Sequence, residues 1–238
     1  MSYRKMGNRK NKIPAGKVAF TIIYLLFFPA LLLFLSGNWL WQEGWIFSAW
    51  FITLCTTSIL YLFYKDPELL AERYRKPGTG AQKGWDRYVV IALFTGFIFW
   101  LVIMPLDAER FHWSPAFPIL LKATGWLALL CSFFFFYRSF TDNTFLSPLV
   151  RIQNERKQKV ISTGVYGFVR HPMYLAAILM FIGTPLLLES YLGIGGGLMI
   201  TFLLAFRTLR EEKMMLTELE GYEDYKQKVK YRFIPFIW

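Results

Sequence analysis

Cysteine and histidine are scarce, two of each in 238 residues. Cys55 and Cys131 each stand alone inside an apolar run, which argues against a disulfide framework and against a thiolate metal centre and leaves both as packing residues. His112 has no metal-ligand companion at a suitable spacing and reads as an ordinary loop residue. Charged residues are only 18% of the chain, against roughly 25% in soluble domains. There is no internal repeat and no low-complexity linker. The glycine-rich dinucleotide fingerprint is also missing: Gly193-x-Gly195-Gly196-Gly197 falls inside an apolar run, where close helix packing is its expected use. No small-x-small cleavage pattern follows the first apolar run at Ser36-Gly37-Asn38-Trp39, so that run is expected to be a retained span rather than a signal peptide.

What the chain has in abundance is apolar surface, 55% hydrophobic and 19% aromatic residues. Uncharged runs recur at residues 18–35, 45–64, 88–106, 123–137, 172–188 and 190–206. A bilayer span takes about 20 apolar residues. The run at 123–137 reaches that length if it begins near Phe117, with Lys122 buried against protein or snorkelling. The last two runs are shorter and read as a helical hairpin turning at Glu189-Ser190, a deficit that tilt or bilayer thinning accommodates. The expected fold is all-α, a polytopic membrane bundle of about six hydrophobic helices including the C-terminal hairpin.

A formal net charge of +11 suggests nucleic acid until its distribution is followed. Lys and Arg concentrate in residues 1–17, 65–87, 138–170 and 207–238, and only Arg110 and Lys122 fall elsewhere. If six helices alternate, the four basic stretches share one side, which is the positive-inside bias. The expectation is a multi-pass protein of the inner or plasma membrane with both termini cytoplasmic. Membrane lipids are expected partners through anionic headgroups; nucleic acid is not.

Three regions follow. Residues 1–17 form a basic cytoplasmic N-terminus, mobile over residues 2–12. Residues 18–140 hold about four membrane helices with almost no ionisable group at depth. Trp39, Trp41, Trp45, Trp85, Trp100 and Trp113 lie near their ends and are expected at the interface. Residues 141–238 change character. The stretch from Thr141 to His171 is polar and basic, with an extended piece at 159–163 leading into a turn at Gly164. Pro172 sits where a helix start tolerates a missing N–H. Residues 209–231 read as one or two amphipathic helices broken near Gly221, and 232–238 as an interfacial tail.

Four features in this last region carry polar chemistry. Arg170-His171-Pro172-Met173-Tyr174 sets polar groups at a helix start, where free N–H groups bind anions; interfacial anchoring explains the Arg and the Tyr but not His-Pro. Gly164-Val165-Tyr166 puts an aromatic after a turn, suited to lining a flat pocket and equally to packing. Arg207 and Glu211 stand four apart, either as an i,i+4 pair or as ionisable groups emerging from a span for a function. Tyr222-x-x-Tyr225, with Val229 and Arg232, forms an amphipathic face.

Taken in order, Gly164-Val165-Tyr166, Arg170-His171-Pro172-Met173-Tyr174, Arg207-x-x-x-Glu211-Glu212 and Tyr222-x-x-Tyr225-x-x-x-Val229 resemble the isoprenylcysteine carboxyl methyltransferase family, and its bacterial membrane members most closely. The ordered set covers about residues 153–235; the first four helices match only in character. The resemblance implies a cytoplasmic S-adenosyl-L-methionine region built by the C-terminal part of the chain. Carried over residue by residue, Gln153, Gln158, Lys159, Val160, Ile161, Tyr166, His171, Pro172, Met173, Tyr174 and Glu211 would bind the cofactor. Arg207 would bind the substrate carboxylate, with Arg207 and Glu211 as the catalytic pair and no metal. The loop from Gln153 to Gln158 is shorter than in the eukaryotic enzymes, and Glu218-Leu219 replaces the family's Phe-Gly before the tyrosines.

The implied reaction is methylation of a carboxylate on a lipid-like, prenylated or isoprenoid-linked acceptor. A carboxylate is ionised at neutral pH and needs no general base. Three other readings stay open. A phospholipid amine or small amphiphile as acceptor would need an acid/base residue to take its proton, with Glu211, Glu212 and His171 the candidates. A nicotinamide-dependent membrane reductase would need a phosphate site, which the basic loops could supply. A non-enzymatic lipid-binding or assembly protein would leave Arg207 and Glu211 replaceable.

Overall fold

The computed structural model describes residues 13–234 and 237–238. The segment 2–12, expected to be mobile, and Pro235-Phe236 of the expected interfacial tail lie outside the described residues. The described chain is all-helical. Helices α1 (Ala15–Leu25) and α2 (Phe27–Ser36) form one apolar rod with a break at Leu26. The break has a local cause: the ring of Pro29 displaces the carbonyl four residues back, at Leu25, and offers it no N–H. Gly37, at φ 72°, ends the rod with a left-handed cap. Helix α3 (Gln42–Lys65) runs into the short α4 (Pro67–Arg73), which starts where the Asp66 carboxylate accepts the Leu69 N–H at 3.0 Å and Pro67 takes the first helical position. Helix α5 (Gly84–Pro105) continues as a π-helical turn over Leu106–Arg110. Helix α6 (Ile119–Asp142), α7 (Pro172–Leu188), α8 (Tyr191–Glu218) and the short α9 (Tyr222–Lys228) complete the chain.

Five helical stretches are long and apolar enough to cross a membrane, and α7 is a sixth, shorter apolar helix. The hairpin turns at Glu189-Ser190 as expected. Glu189 adopts φ 64° and caps α7, while the Ser190 hydroxyl accepts the Gly193 N–H at 2.8 Å to cap α8. Helix α7 can be short because most of its residues are buried by protein; an apolar helix without a polar face belongs inside a bundle. Helix α8 joins the last apolar run to the amphipathic stretch expected from residue 209 and continues unbroken to Glu218, just before the expected break near Gly221. At 1.5 Å per residue its 28 residues span about 42 Å, beyond the roughly 30 Å of a hydrocarbon core. Its last turns therefore project from the apolar bundle and carry the site described below.

The centre of the bundle is closed by small residues and by indoles. Gly125 of α6 lies against α7 so closely that an added Cβ would sit 2.6 Å from the Leu187 nitrogen and 2.7 Å from the Gly183 oxygen. An added Cβ on Gly197 of α8 would collide with the Phe181 carbonyl, so the glycine run serves close packing. Trp100 and Trp41 are not interfacial. Trp100 is fully buried and donates its indole N–H to the Gly193 carbonyl at 2.9 Å, and Trp41 is 5% exposed. Trp39, Trp45 and Trp113 are exposed, as interfacial aromatics are. Lys122 is held by two carboxylates, Glu43 at 2.5 Å and Glu189 at 2.6 Å, which fastens α3 and α6 to the α7–α8 turn. Gly125→Val is expected to push α6 and α7 apart and to lower the detergent-phase unfolding midpoint by roughly 5 °C, from an overpacking cost of about 1–3 kcal/mol. A thermal melt followed by intrinsic fluorescence reads it, and an unchanged midpoint would mean the two helices slide apart freely.

Candidate active site

The site grows from three local devices. The first is the turn at Gly164. The Asp142 carboxylate accepts the Val165 N–H at 3.0 Å and pairs with Arg138 at 2.9 Å. Gly164 has φ 60°, and a Cβ there would overlap the Asp142 oxygen, so only glycine lets the 3₁₀ turn Gly164–Gly167 close onto the end of α6. The turn buries Tyr166, whose carbonyl accepts the Tyr225 hydroxyl at 2.7 Å.

The second device is Glu212, a residue to which sequence reasoning gave only a minor part. Its buried carboxylate receives Arg170 Nε at 2.7 Å, Arg232 Nε at 2.8 Å and His171 Nε2 at 3.2 Å. Arg170 also donates to the carbonyls of Val229 and Lys230 at 2.7 and 2.8 Å, and the Arg170 and His171 N–H groups bond to the Tyr231 and Arg232 carbonyls. One carboxylate thus ties the start of α7 to α8 and to the strand-like tail. Both Arg170 and His171 line the cavity described below, with their side chains already engaged by this carboxylate. The Arg170 side chain is buried, and the His171 Nε2 is engaged by Glu212. The His171 ring is stacked on Tyr174 at 5.6 Å.

The third device is Asp86, in the first turn of α5 and fully buried. One oxygen accepts Arg207 Nε at 2.8 Å; the other accepts Gln82 Nε2 at 2.7 Å and the Val150 N–H at 2.8 Å. Arg207 donates further to the Pro148 carbonyl at 2.8 Å, and its guanidinium lies 5.8 Å from the centre of the Tyr174 ring. The i,i+4 pair between Arg207 and Glu211 is not made. Glu211 instead accepts the Tyr174 hydroxyl at 2.7 Å and has no ion pair among the described residues.

Between these devices lies a cavity with about 790 Å³ of empty space, counting its open mouth. Its walls are the polar stretch after α6, the start of α7, the projecting end of α8, and α9. Of the residues singled out by sequence, Gln158, Lys159, Val160, Ile161, Tyr166, His171, Pro172, Met173, Tyr174 and Glu211 all line it. Two do not. Gln153 is fully buried away from it, donating to the Phe145 carbonyl at 2.6 Å and accepting Arg156 at 2.8 Å; its amide braces the loop. Arg207 lies behind Tyr174, outside the lining. Tyr222 lines the cavity with a buried hydroxyl that has no hydrogen-bond partner among the described residues. Burial pushes the Tyr166, Tyr222 and Tyr225 phenols above their ordinary range, so all three remain neutral donors. Asp86, Glu212 and Tyr222 supply much of the site, and the first two are single charges whose partners stand far off in sequence.

Residues 120–221 match the phospholipid methyltransferase family. A protein of rice (Oryza sativa subsp. indica) named "Probable protein-S-isoprenylcysteine O-methyltransferase" is 31% identical over 102 residues, which are 42% of this chain and 50% of that protein. The Saccharomyces cerevisiae protein-S-isoprenylcysteine O-methyltransferase is 34% identical over 93 residues, 38% of each chain. The matched stretch thus spans half or less of these relatives' length. Among solved structures, the eukaryotic intramembrane Ras methyltransferase ICMT (isoprenylcysteine carboxyl methyltransferase) superposes with a TM-score of 0.51 at 19% identity, covering 90% of this chain and 74% of that one. The chain thus shares the membrane fold of that enzyme, and its similarity to methyltransferase sequences runs from α6 to the end of α8.

Proposed function

We propose that the chain is a membrane S-adenosyl-L-methionine-dependent methyltransferase acting on a carboxylate of a lipid-like or isoprenoid-linked acceptor. The observation that carries the reading is a pair of polar groups in one aromatic cavity, a Glu211 carboxylate that accepts only the Tyr174 hydroxyl and forms no ion pair, and a buried Tyr222 hydroxyl without a partner, both among the described residues. A ligand with an ammonium, hydroxyls and an aromatic ring answers both. When bound, S-adenosylmethionine supplies an activated methyl group on its sulfonium. Glu211 holds the ammonium or the ribose hydroxyls by charge-assisted hydrogen bonds, Tyr166 and Tyr174 offer ring faces, and Gln158, Lys159, Val160 and Ile161 close the opposite wall. Arg207, braced by Asp86, keeps its remaining N–H groups for the acceptor's carboxylate. The acceptor is already anionic, so the side chains contribute orientation, which alone is worth several kcal/mol.

The cavity lies where α8 leaves the apolar bundle, so a soluble cofactor and a membrane-borne acceptor meet there. The basic stretches support placing that face, and both termini, on the cytoplasmic side. The phospholipid methyltransferase match favours a second acceptor class, a phospholipid amine. That reading asks for a base, and Glu211 is the cavity-lining carboxylate positioned for it.

Calorimetric titration of the detergent-purified chain tests the reading, first with S-adenosylhomocysteine and then with NADPH. Saturable heat with the first and none with the second is expected. Silence with S-adenosylhomocysteine would overturn both methyltransferase readings, and heat with NADPH alone would favour a reductase.

A further inference from the structure

Arg73 closes α4, an element outside the C-terminal motifs. Its guanidinium lies 5.2 Å from the centre of the Phe140 ring on α6, and its Nη1 is buried without a hydrogen-bond partner. Among the described residues Arg73 forms no ion pair. The acid beside it, Glu72, is fully engaged. Its carboxylate takes Arg151 through two bonds of 2.9 Å, Arg75 at 2.6 Å and the Ser147 hydroxyl at 2.8 Å. Burial pushes the Glu72 carboxyl up, but these bonds outweigh it and hold it at about 2.

Arg73 lies within electrostatic reach of the Arg207 charge, of Tyr174 and Tyr166, and of the adjacent Glu72 carboxylate. Arg207 pairs with Asp86; Arg73 feels the Glu72 charge but pairs with no carboxylate among the described residues. Burial and the neighbouring Arg207 draw the Arg73 guanidinium down to about 10, and it stays charged at neutral pH. The wall around it carries a second orphan, the Ser139 hydroxyl next to Phe140, buried and unpartnered. That wall is otherwise apolar. Leu69, Leu70, Phe140 and Leu146 pack in one cluster, and Leu146 also lines the cavity. A buried cation without a paired carboxylate is costly to keep, and here it stands where an apolar surface meets the cavity.

We propose that Arg73 is an acceptor-binding residue, a guanidinium that takes the carboxylate of an isoprenoid-linked acceptor and makes the site prefer an anionic to a neutral head group. The proposal rests on the methyltransferase reading and deepens it. Asp86 pairs with Arg207 alone, so the unpartnered Arg73 Nη1 is the donor left for an incoming anion. Glu211 stands on the cofactor side of Tyr174 as its hydrogen-bond partner, which leaves the Arg73 side for the acceptor.

The test uses the full chain in detergent, with N-acetyl-S-farnesylcysteine and its carboxamide as probes. S-adenosylhomocysteine affinity is measured first, then binding of acid and carboxamide with S-adenosylhomocysteine saturating. The wild-type chain is expected to prefer the acid by about tenfold or more, the worth of one charge-assisted hydrogen bond. Arg73→Gln is expected to erase that preference by weakening the acid alone, with S-adenosylhomocysteine affinity retained. Arg73→Lys, which keeps the charge, is expected to keep part of the preference and serves if the glutamine variant does not fold. A wild-type chain that fails to bind the acid or does not prefer it, or an Arg73→Gln chain with the preference intact, overturns the proposal. Loss of S-adenosylhomocysteine affinity in Arg73→Gln also overturns it, by assigning Arg73 to the cofactor's own carboxylate. If the wild-type chain binds no S-adenosylhomocysteine, the methyltransferase reading fails by itself, and the acid-to-amide comparison still reports on Arg73.

Discussion

Glu211→Gln is expected to weaken S-adenosylhomocysteine binding by roughly a hundredfold without a loss of stability. The carboxylate reaches the cavity with one partner, the Tyr174 hydroxyl at 2.7 Å. A glutamine oxygen can accept that bond, so Tyr174 keeps its place, while the negative charge that would meet an ammonium is gone. Two charge-assisted bonds at about 1.5 kcal/mol each give the expected loss. Glu211→Ala is expected to abolish detectable binding and also to cost roughly 1–2 kcal/mol, because the buried Tyr174 hydroxyl then lacks an acceptor. Calorimetry on both variants, with a thermal melt beside it, separates the two effects. Affinity unchanged in both variants would remove Glu211 from the cofactor site.

The legible part of the molecule was the part written locally. Apolar runs marked the helices, and Glu189-Ser190 marked the hairpin turn because a charged and a capping residue interrupt an otherwise apolar stretch. Gly164 and Gly221 marked turns because both take positive φ. The residues from Gln158 to Tyr174 converge on one cavity because the chain there simply wraps around the start of α7. The joining of the last span and the amphipathic stretch into one helix has a physical reason. Hydrophobicity stops near Phe206, but Arg, Glu, Lys, Met and Leu are strong helix formers, so the helix outlives its apolar face. The buried ion pairs were illegible for another. Asp86 and Arg207 lie on different helices, Glu72 lies on a helix while its partner Arg151 lies in a loop, and no periodicity links them. Each charge read alone looks like a solvated or interfacial group. Trp41 and Trp100 were misplaced likewise: an indole near a helix end suits an interface, and only the neighbouring backbones, such as the Gly193 carbonyl that receives Trp100, reveal a core position.

Glu212→Ala is expected to do the reverse of Glu211→Gln, although the residues are adjacent. On α8 successive side chains point about 100° apart, so Glu211 reaches the cavity while Glu212 turns into the packing between α7 and the tail. Its removal leaves the buried Arg170 guanidinium, the Arg232 guanidinium and the His171 imidazole without the carboxylate they share. Breaking a buried pair from one side costs about 3–5 kcal/mol, and here one deletion orphans three partners. The bundle of α1 to α6 does not depend on this carboxylate. The expected outcome is a chain that still inserts and purifies, melts at a lower temperature, and is cleaved by protease after α8, where the wild-type tail is protected. S-adenosylhomocysteine binding falls as well, since Tyr222 and Tyr225 reach the cavity only through that tail. Glu212→Gln, which can serve one guanidinium but not all three groups, is expected to fall between. If Glu212→Ala instead keeps its melting temperature and its protease resistance while losing the ligand, Glu212 belongs to the binding surface and not to the clamp behind it.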